Sequence, residues 1–573
     1  KSLKLSGVEI KDKQIIVRPA EVSDPVEYAE KFSKLVDISY KRLINLFEGK
    51  NRYVVLATKL EPVKSDKIQE LIKNDKEAYK GIGFEDKSYR FYPEGQLAAQ
   101  VLGFVDSKGG QYGVEAYFDD LLKGKKGIFK ATLDGLGNQI TVGDDTLIEP
   151  ATDGASVYLT IDRLIQMQAE KLLKNSVEST RADSGQLIVM EPKTGEILAM
   201  AHYPTFDPNK FWEALDTEEF KIITDEEDEN FNANKVEVRK KSKTEETYFV
   251  EDERTQLEFQ LLPLKSDETG DTFYERFKNK VGAAVYRNKV VQDLYEPGSV
   301  FKAITMSGAI DSQSVTPKTT IQDIGPIKVD EFTIDNALGK HYGTITMTQV
   351  LETSNNIGMS WVAQTIGRQL FYSYMQKYGL GKRTDIELPI ESQGRVESFN
   401  NWAESELVTH AFGQGISTTP IQMITAFAAL ANDGVLMQPT IVKKILPVND
   451  DSIENEPKIV RQAITKKSAD TLTAMLVSVV ENGQSRGTRI PGYSIAGKTG
   501  TSQTYKNGRP LEGAGTTIAT FAGFAPAEDP KFVILVKLDR PRTSPWADST
   551  ALPLFKEMAT YLLQYLNIPP SKV

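Results

Sequence analysis

The chain has 573 residues, 26% charged and 40% hydrophobic, with 41 Gly and 26 Pro, an ordinary globular composition that excludes a collagenous, low-complexity or wholly disordered protein. Its 69 Lys+Arg against 79 Asp+Glu give a net charge of −10, opposite in sign to a nucleic-acid-binding footprint. Zero cysteines remove disulfides, thiolate metal sites and a cysteine nucleophile, and three histidines (His202, His341, His410) leave little for a metal cage; serine–lysine or carboxylate chemistry without metal or cofactor is expected.

No run of about 18 apolar residues occurs, so no segment reads as a membrane-spanning helix. The chain opens at Lys1 without an initiator Met, which is compatible with a preceding membrane anchor. Residues 1 to 153 read as a mixed α+β region of short elements, with one helix-like stretch from Asp24 to about Phe47. Glycine-bearing turns follow around Gly95, Gly103, Gly109-Gly110 and Gly124.

The pattern changes at Asp153-Gly154, which sets a second region over 154–573. There "SVYLTID" reads as a strand and "DRLIQMQAEKLLKN" (162–175) as an amphipathic helix, followed by a hairpin of "GQLIVM" (185–190) and "GEILAM" (195–200). Residues 210 to about 285 read as a polar insertion, with an acidic run Asp225–Glu229 and a basic patch Arg239-Lys240-Lys241. A solvated, partly mobile excursion is the plain reading and partner docking the alternative.

Downstream, "VFKAITMSGAI" predicts a buried helix starting at or near Ser299. "TPIQMITAFAALAN" (419–432) predicts a helix with Pro420 in its first turn. Strands are expected at 494–504, 517–526 and 531–539, and a closing apolar helix at 552–566. A helix and hairpin with more strands at the far end indicate an α+β antiparallel sheet packed by helices.

Three short patterns carry chemistry. Ser299-Val300-Phe301-Lys302 is an SxxK, and residues three apart on a helix share a face, so the two side chains can share a hydrogen bond. The helix N-terminus favours negative charge at the serine. A neutral lysine activates such a serine; at pH 7, starting from a pKa of about 10.4, neutralisation costs roughly 4.6 kcal/mol, which burial and a second cation must supply.

S-x-N occurs at Ser354-Asn355-Asn356 and at Ser398-Phe399-Asn400, and K-T-G at Lys193-Thr194-Gly195 and Lys498-Thr499-Gly500. Lys193 falls in the hairpin turn and Ser398 in a polar loop, where neither needs a function. Lys498 lies in a strand-like run whose Gly497 and Gly500 would admit a ligand backbone. Ser354 precedes an apolar segment as a helix-capping residue would, which is also its purely structural reading.

The order SxxK, SxN, KTG resembles the penicillin-binding-protein and serine β-lactamase superfamily. "HYPTFDPN" (202–209), "RNKVVQDLYEPGSVFK" (287–302), "FGQGISTTPIQMITAFAALANDG" (412–434) and "AGKTGTS" (496–502) resemble class B penicillin-binding proteins. "RFYPEGQLAAQVLGFVD" (90–106) and "GQYGVEAYFDDLLKGKKG" (110–127) are similar to their non-catalytic pedestal.

The resemblance implies an α+β fold: an N-terminal pedestal over 1–153, then a penicilloyl-serine transferase domain over 154–573. The latter has an antiparallel sheet flanked by helices and an all-helical subdomain. It implies a peptidoglycan D,D-transpeptidase that cross-links stem peptides through an acyl-enzyme and is acylated by β-lactams. Ser299 is implied as nucleophile, Lys302 as its base, Ser354 as proton relay and Asn356 as holder of Lys302 and the substrate amide. Lys498 is implied as the cation near the substrate carboxylate, which the Thr499 and Thr501 hydroxyls bind beside Gly500. A glycan polymerase partner, an N-terminal membrane anchor and the extracytoplasmic face of the membrane follow from the same resemblance. A β-lactamase, a D,D-carboxypeptidase, and a β-lactam sensor or inactive scaffold are the alternatives; no Glu-x-x-Leu-Asn follows Ser354 to favour the first.

Overall fold

The computed structural model describes residues 2–571 except 6–7, 34–35, 37, 50, 52, 58–61, 77–78, 131–146, 221–235, 241–245, 252–257, 264–273, 449, 507–508 and 512. Its central sheet is antiparallel and five-stranded, in the order Ile197–Tyr203, Ser184–Met190, Phe532–Asp539, Thr517–Ala525, Ala496–Gln503. The hairpin expected from residues 185–200 thus meets the C-terminal strands, and every residue of Ser184–Met190 is buried.

Period-two alternation gives the sheet two faces. Leu187, Val536 and Phe521 lie opposite one another across three strands and pack with Ile165 and Leu173 of helix Arg163–Thr180 and Phe555 and Leu562 of helix Ala551–Tyr565. The other face receives helix Pro420–Ala431, all of whose residues are buried. A helix apolar on every side belongs in a core, and this one starts on a capping box of Thr419 and Gln422.

Two compact units divide the chain: residues 6–94, and residues 1–5 with 95–573. In the larger, strand Ser2–Leu5 pairs with Ser156–Asp162. The stretch after Gly95 is built into the same unit. Gln100 Nε2 donates to Pro204 O (3.1 Å) and Val285 O (3.0 Å), and Phe104 stacks on Phe211 with centroids 4.2 Å apart. The Glu170 carboxylate accepts from Ala98 N at 2.7 Å, and its burial pushes its pKa up to about 7.

The smaller unit has an antiparallel sheet in the order Val54–Ala57, Val8–Val17, Ile82–Phe91, with a core that includes Val17, Tyr28, Phe32, Leu43 and Phe47. The single helix expected over 24–47 is two helices, Pro25–Phe32 and Tyr40–Phe47. The sequence from Ser33 to Ser39 includes β-branched Val36 and Ile38 and the weak helix formers Ser33, Asp37 and Ser39.

The 210–285 insertion also differs from the expected solvated excursion. Its described residues form a five-stranded antiparallel sheet, in the order Thr217–Phe220, Tyr274–Phe277, Glu258–Pro263, Glu246–Glu251, Val236–Lys240. Val250 and Leu261 are buried there. The acidic run 225–229 and Lys241 of the basic patch lie outside the described residues.

Candidate active site

The segment before Ser299 is held on three sides. Tyr295 exchanges backbone hydrogen bonds with Thr418 (2.9 Å each way), Gly298 N donates to Gly413 O (3.1 Å), and Ser502 Oγ donates to Glu296 O (2.5 Å). Gly298 has φ +58°. Ser299 then sits in a 3₁₀ turn, Gly298–Phe301, and the α-helix Lys302–Asp311 begins at the lysine rather than at the serine. Tightening to 3₁₀ at an α-helix N-terminus is common, and here it leaves Ser299 half-buried while Lys302 points inward, fully buried.

Lys302 Nζ lies 2.6 Å from Ser354 O, 2.7 Å from Asn356 Oδ1 and 3.2 Å from Ser354 Oγ. The expected Ser299–Lys302 hydrogen bond is absent among the described residues; the amine lies against the oxygens of the SxN loop instead. Lys498 Nζ lies 3.0 Å from the same Ser354 Oγ and donates to Thr499 O at 3.1 Å. One hydroxyl bridges two buried amines.

Burial and the charge of Lys498 hold the Lys302 amine well below its ordinary pKa, and burial alone brings Lys498 down to about 7. Two ammonium groups around one hydroxyl repel, and that repulsion adds to burial in disfavouring the charged form of Lys302.

Ser354 has φ +51°, in the left-handed region that a serine rarely adopts. The capping role expected of it belongs to the next residue: Asn355 Oδ1 accepts from Gly358 N at 2.6 Å to start helix Asn356–Ile366. The Ser354 hydroxyl is thereby left to the two lysines.

Lys498, Thr499, Gly500 and Thr501 lie on the edge strand Ala496–Gln503. Gly500 packs against the Ser299 turn, where an added Cβ would meet Val300 Cγ2 at 2.7 Å and Pro297 O at 2.9 Å; at Gly497 it would meet the Phe521 ring at 2.7 Å. These glycines are closely packed inside the protein. Thr501 Oγ1 accepts from Ala547 N at 3.2 Å, beside the 40%-exposed Trp546.

The second copies of the motifs stand apart from this cluster. Lys193 is exposed and pairs with Asp529 at 2.8 Å, and Ser398 and Asn400 are exposed at the start of the 3₁₀ turn Phe399–Asn401. His202 and His410 are buried, with pKa values lowered by burial to about 3 and about 4, and His410 lies edge-on to Trp402. The motifs did not point to Asp323, Asn336 and His341, which line the far side of the SxN loop.

Gly413 tests how tightly the Ser299 turn is held. It has φ +81°, and a Cβ there would lie 2.3 Å from Gly298 O and 2.7 Å from Gly298 N. Gly413→Ala is expected to cost about 1–3 kcal/mol in strain, seen as a lower Tm, and to slow acylation by penicillin through the displaced turn. Wild-type acylation kinetics in this variant would contradict that coupling.

A serine, two buried amines and an edge strand on a five-stranded antiparallel sheet define a serine acyl-transfer enzyme. The chain matches the penicillin binding protein transpeptidase domain over residues 185–560 and the penicillin-binding protein dimerisation domain over 9–159. It belongs to the penicillin-binding proteins, in their class B transpeptidase branch. It is 29% identical over 565 residues to stage V sporulation protein D of Bacillus subtilis, covering 97% of this chain and 76% of that one. It is 31% identical over 545 residues to penicillin-binding protein PbpB of Mycolicibacterium smegmatis, covering 93% and 72%. Among solved structures, penicillin binding protein 3 of Mycobacterium tuberculosis complexed with aztreonam superposes with a TM-score of 0.65 at 28% identity, over 85% of this chain and 93% of that one.

Proposed function

We propose that this protein cross-links peptidoglycan stem peptides through an acyl-enzyme on Ser299. The observation that carries the reading is the chain from Lys302 through Ser354 to Lys498, within 3.2 Å at each step. Neutral Lys302 takes the Ser299 proton as the oxygen attacks the carbonyl of the penultimate D-Ala. The tetrahedral oxyanion lies on the N–H groups of Ser299 and Thr501, each worth roughly 2.7–4 kcal/mol. The proton passes from Lys302 through the Ser354 hydroxyl to the leaving amine, and the terminal D-Ala departs. An amine of a second stem peptide then attacks the ester and loses its proton to Lys302, which passes it to Ser299 Oγ as the ester C–O bond breaks, restoring the hydroxyl and the neutral amine.

Asn356 holds Lys302 and the substrate amide, and Lys498 with Thr499 and Thr501 receives the substrate carboxylate. Gly500 keeps this strand close to the nucleophile. β-Lactams mimic the donor and stop at the ester.

Residues 1–153 act as a pedestal, a reading supported by the dimerisation-domain match over 9–159, and by resemblance to the family they also offer the docking surface of a glycan polymerase. Among the described residues no helix is long and apolar enough to cross a membrane. A membrane anchor preceding Lys1 would place the enzyme at the extracytoplasmic face, where its substrate lies.

Mass analysis tests the reading. One penicilloyl adduct per chain, mapped to the peptide containing Ser299, is expected. A donor pentapeptide with an amine acceptor should release D-Ala and yield the cross-linked product. Hydrolysis without cross-linking would indicate a carboxypeptidase, and rapid turnover of penicillin a β-lactamase.

A further inference from the structure

The SxN loop is anchored from behind by a carboxylate that no motif includes. Strand Thr320–Asp323 pairs with Gly343–Thr346, and its alternation turns Ile321 and Asp323 inward while Thr320 and Gln322 face out. Asp323 therefore occupies an apolar-type position and is fully buried. Such a group needs partners, and side-chain amide and backbone N–H groups supply them.

Asn355 Nδ2 reaches Asp323 Oδ2 at 2.7 Å, Asn336 Nδ2 lies 3.1 Å from each oxygen, and Tyr342 N donates at 3.0 Å. His341 Nδ1 lies 3.0 Å from Oδ1, with its Nε2 3.5 Å from Asp335.

Two of these partners continue to the catalytic loop. Asn355 separates Ser354 from Asn356, and its other amide atom caps their helix. Asn336 Oδ1 accepts from the backbone N of Asn356 (2.8 Å) and Ile357 (3.3 Å). Asn356 in turn donates through Nδ2 to Asp335 O at 2.9 Å, which turns its Oδ1 toward Lys302. The left-handed Ser354 needs such support, because a residue in that region stays there only when its surroundings over-determine it.

We propose that Asp323 is a positioning residue for acylation, holding Ser354 and Asn356 against Lys302 through Asn355 and Asn336. It touches no reacting atom. It sets the distance of the relay hydroxyl from the base, which affects the chemical step and leaves initial recognition of the β-lactam alone. The inference rests on the roles proposed for Ser354 and Asn356.

The test is an amide–carboxylate swap, read by stopped-flow acylation with a fluorescent penicillin that separates the pre-acylation dissociation constant from the acylation rate constant. Asp323→Asn puts an NH₂ among donors, and Asn355→Asp keeps the helix cap but sets a carboxylate against Asp323. Each is expected to lower the acylation rate constant by about 10- to 100-fold, with the dissociation constant unchanged within about threefold. The double variant restores a donor–acceptor pair and should recover at least about fivefold over the worse single variant.

Folding of each is checked by thermal melting, and if Asp323→Asn fails to fold, Asn355→Asp and the double variant decide. A folded single variant with wild-type acylation, an effect confined to the dissociation constant, or a double variant no better than the worse single would overturn the proposal. Ser299→Ala runs in parallel: labelling that survives it sinks the catalytic assignment itself, whereas wild-type kinetics in Asp323→Asn with Ser299→Ala inert sinks only the positioning role.

Discussion

Alanine at Ser299 is expected to abolish penicillin labelling and to lower transpeptidation by about 10⁴-fold or more, the scale seen when a nucleophile is removed from a group that acts as a unit. Stability should hardly change. The Ser299 side chain is half-buried and makes no hydrogen bond among the described residues, so its loss should fall within about 0.5 kcal/mol. Activity lost at constant Tm is the signature of a nucleophile rather than a packing residue. Residual label on Ser354 or Ser398 would contradict the assignment.

Lys302→Met should separate activity from stability in a second way. Methionine roughly matches the lysine stem but carries no base, so acylation is expected to fall about 10²- to 10⁴-fold. Lys302→Arg should not rescue it, because guanidinium cannot give up its proton. The pH dependence carries a definite sign. Burial and Lys498 depress the Lys302 pKa in the folded protein below its ordinary 10.5, so between the two values the unfolded chain binds more protons. Wild-type stability should therefore rise with pH through that window, reach its full value above 10.5 and be lost as pH falls toward the depressed value. In Lys302→Met this component of the slope disappears. Denaturant unfolding from pH 6 to 10 reads it, and an identical slope in both proteins would show that Lys302 is not depressed.

What the sequence made legible was whatever repeats locally or sits in a motif. Short apolar runs marked Thr517–Ala525 and Phe532–Asp539, and an apolar run with a proline in its first turn marked Pro420–Ala431. The SxxK, SxN and KTG residues meet because long-range pairing brings Ala496–Gln503 to the Ser299 turn.

The inserted sheet was harder to see. Its strands are short and rich in charged residues, as in Val236-Glu237-Val238-Arg239, and the net polarity hides the period. The Asp323 anchor was out of reach for another reason. Its partners Asn336, His341 and Tyr342 lie in the long connection between two paired strands and Asn355 beyond the second, and an aspartate in a short strand reads as a surface residue until that strand is folded. The hydroxyl bridging two lysines is likewise a product of packing density at a site where both amines are dry.

The strand order of the central sheet bears on how this protein is made. Ser184–Met190 is flanked on one side by its own hairpin partner and on the other by Phe532–Asp539, which leaves the ribosome roughly 340 residues later. At about 5–20 residues per second, that edge stands open for roughly 17 to 70 seconds of synthesis, far longer than the microseconds in which a hairpin forms. It is an apolar edge, Leu187-Ile188-Val189-Met190, of the kind that recruits a second strand from a neighbouring chain. Until its last hairpin arrives, that edge of the nascent chain is open to pairing with another chain.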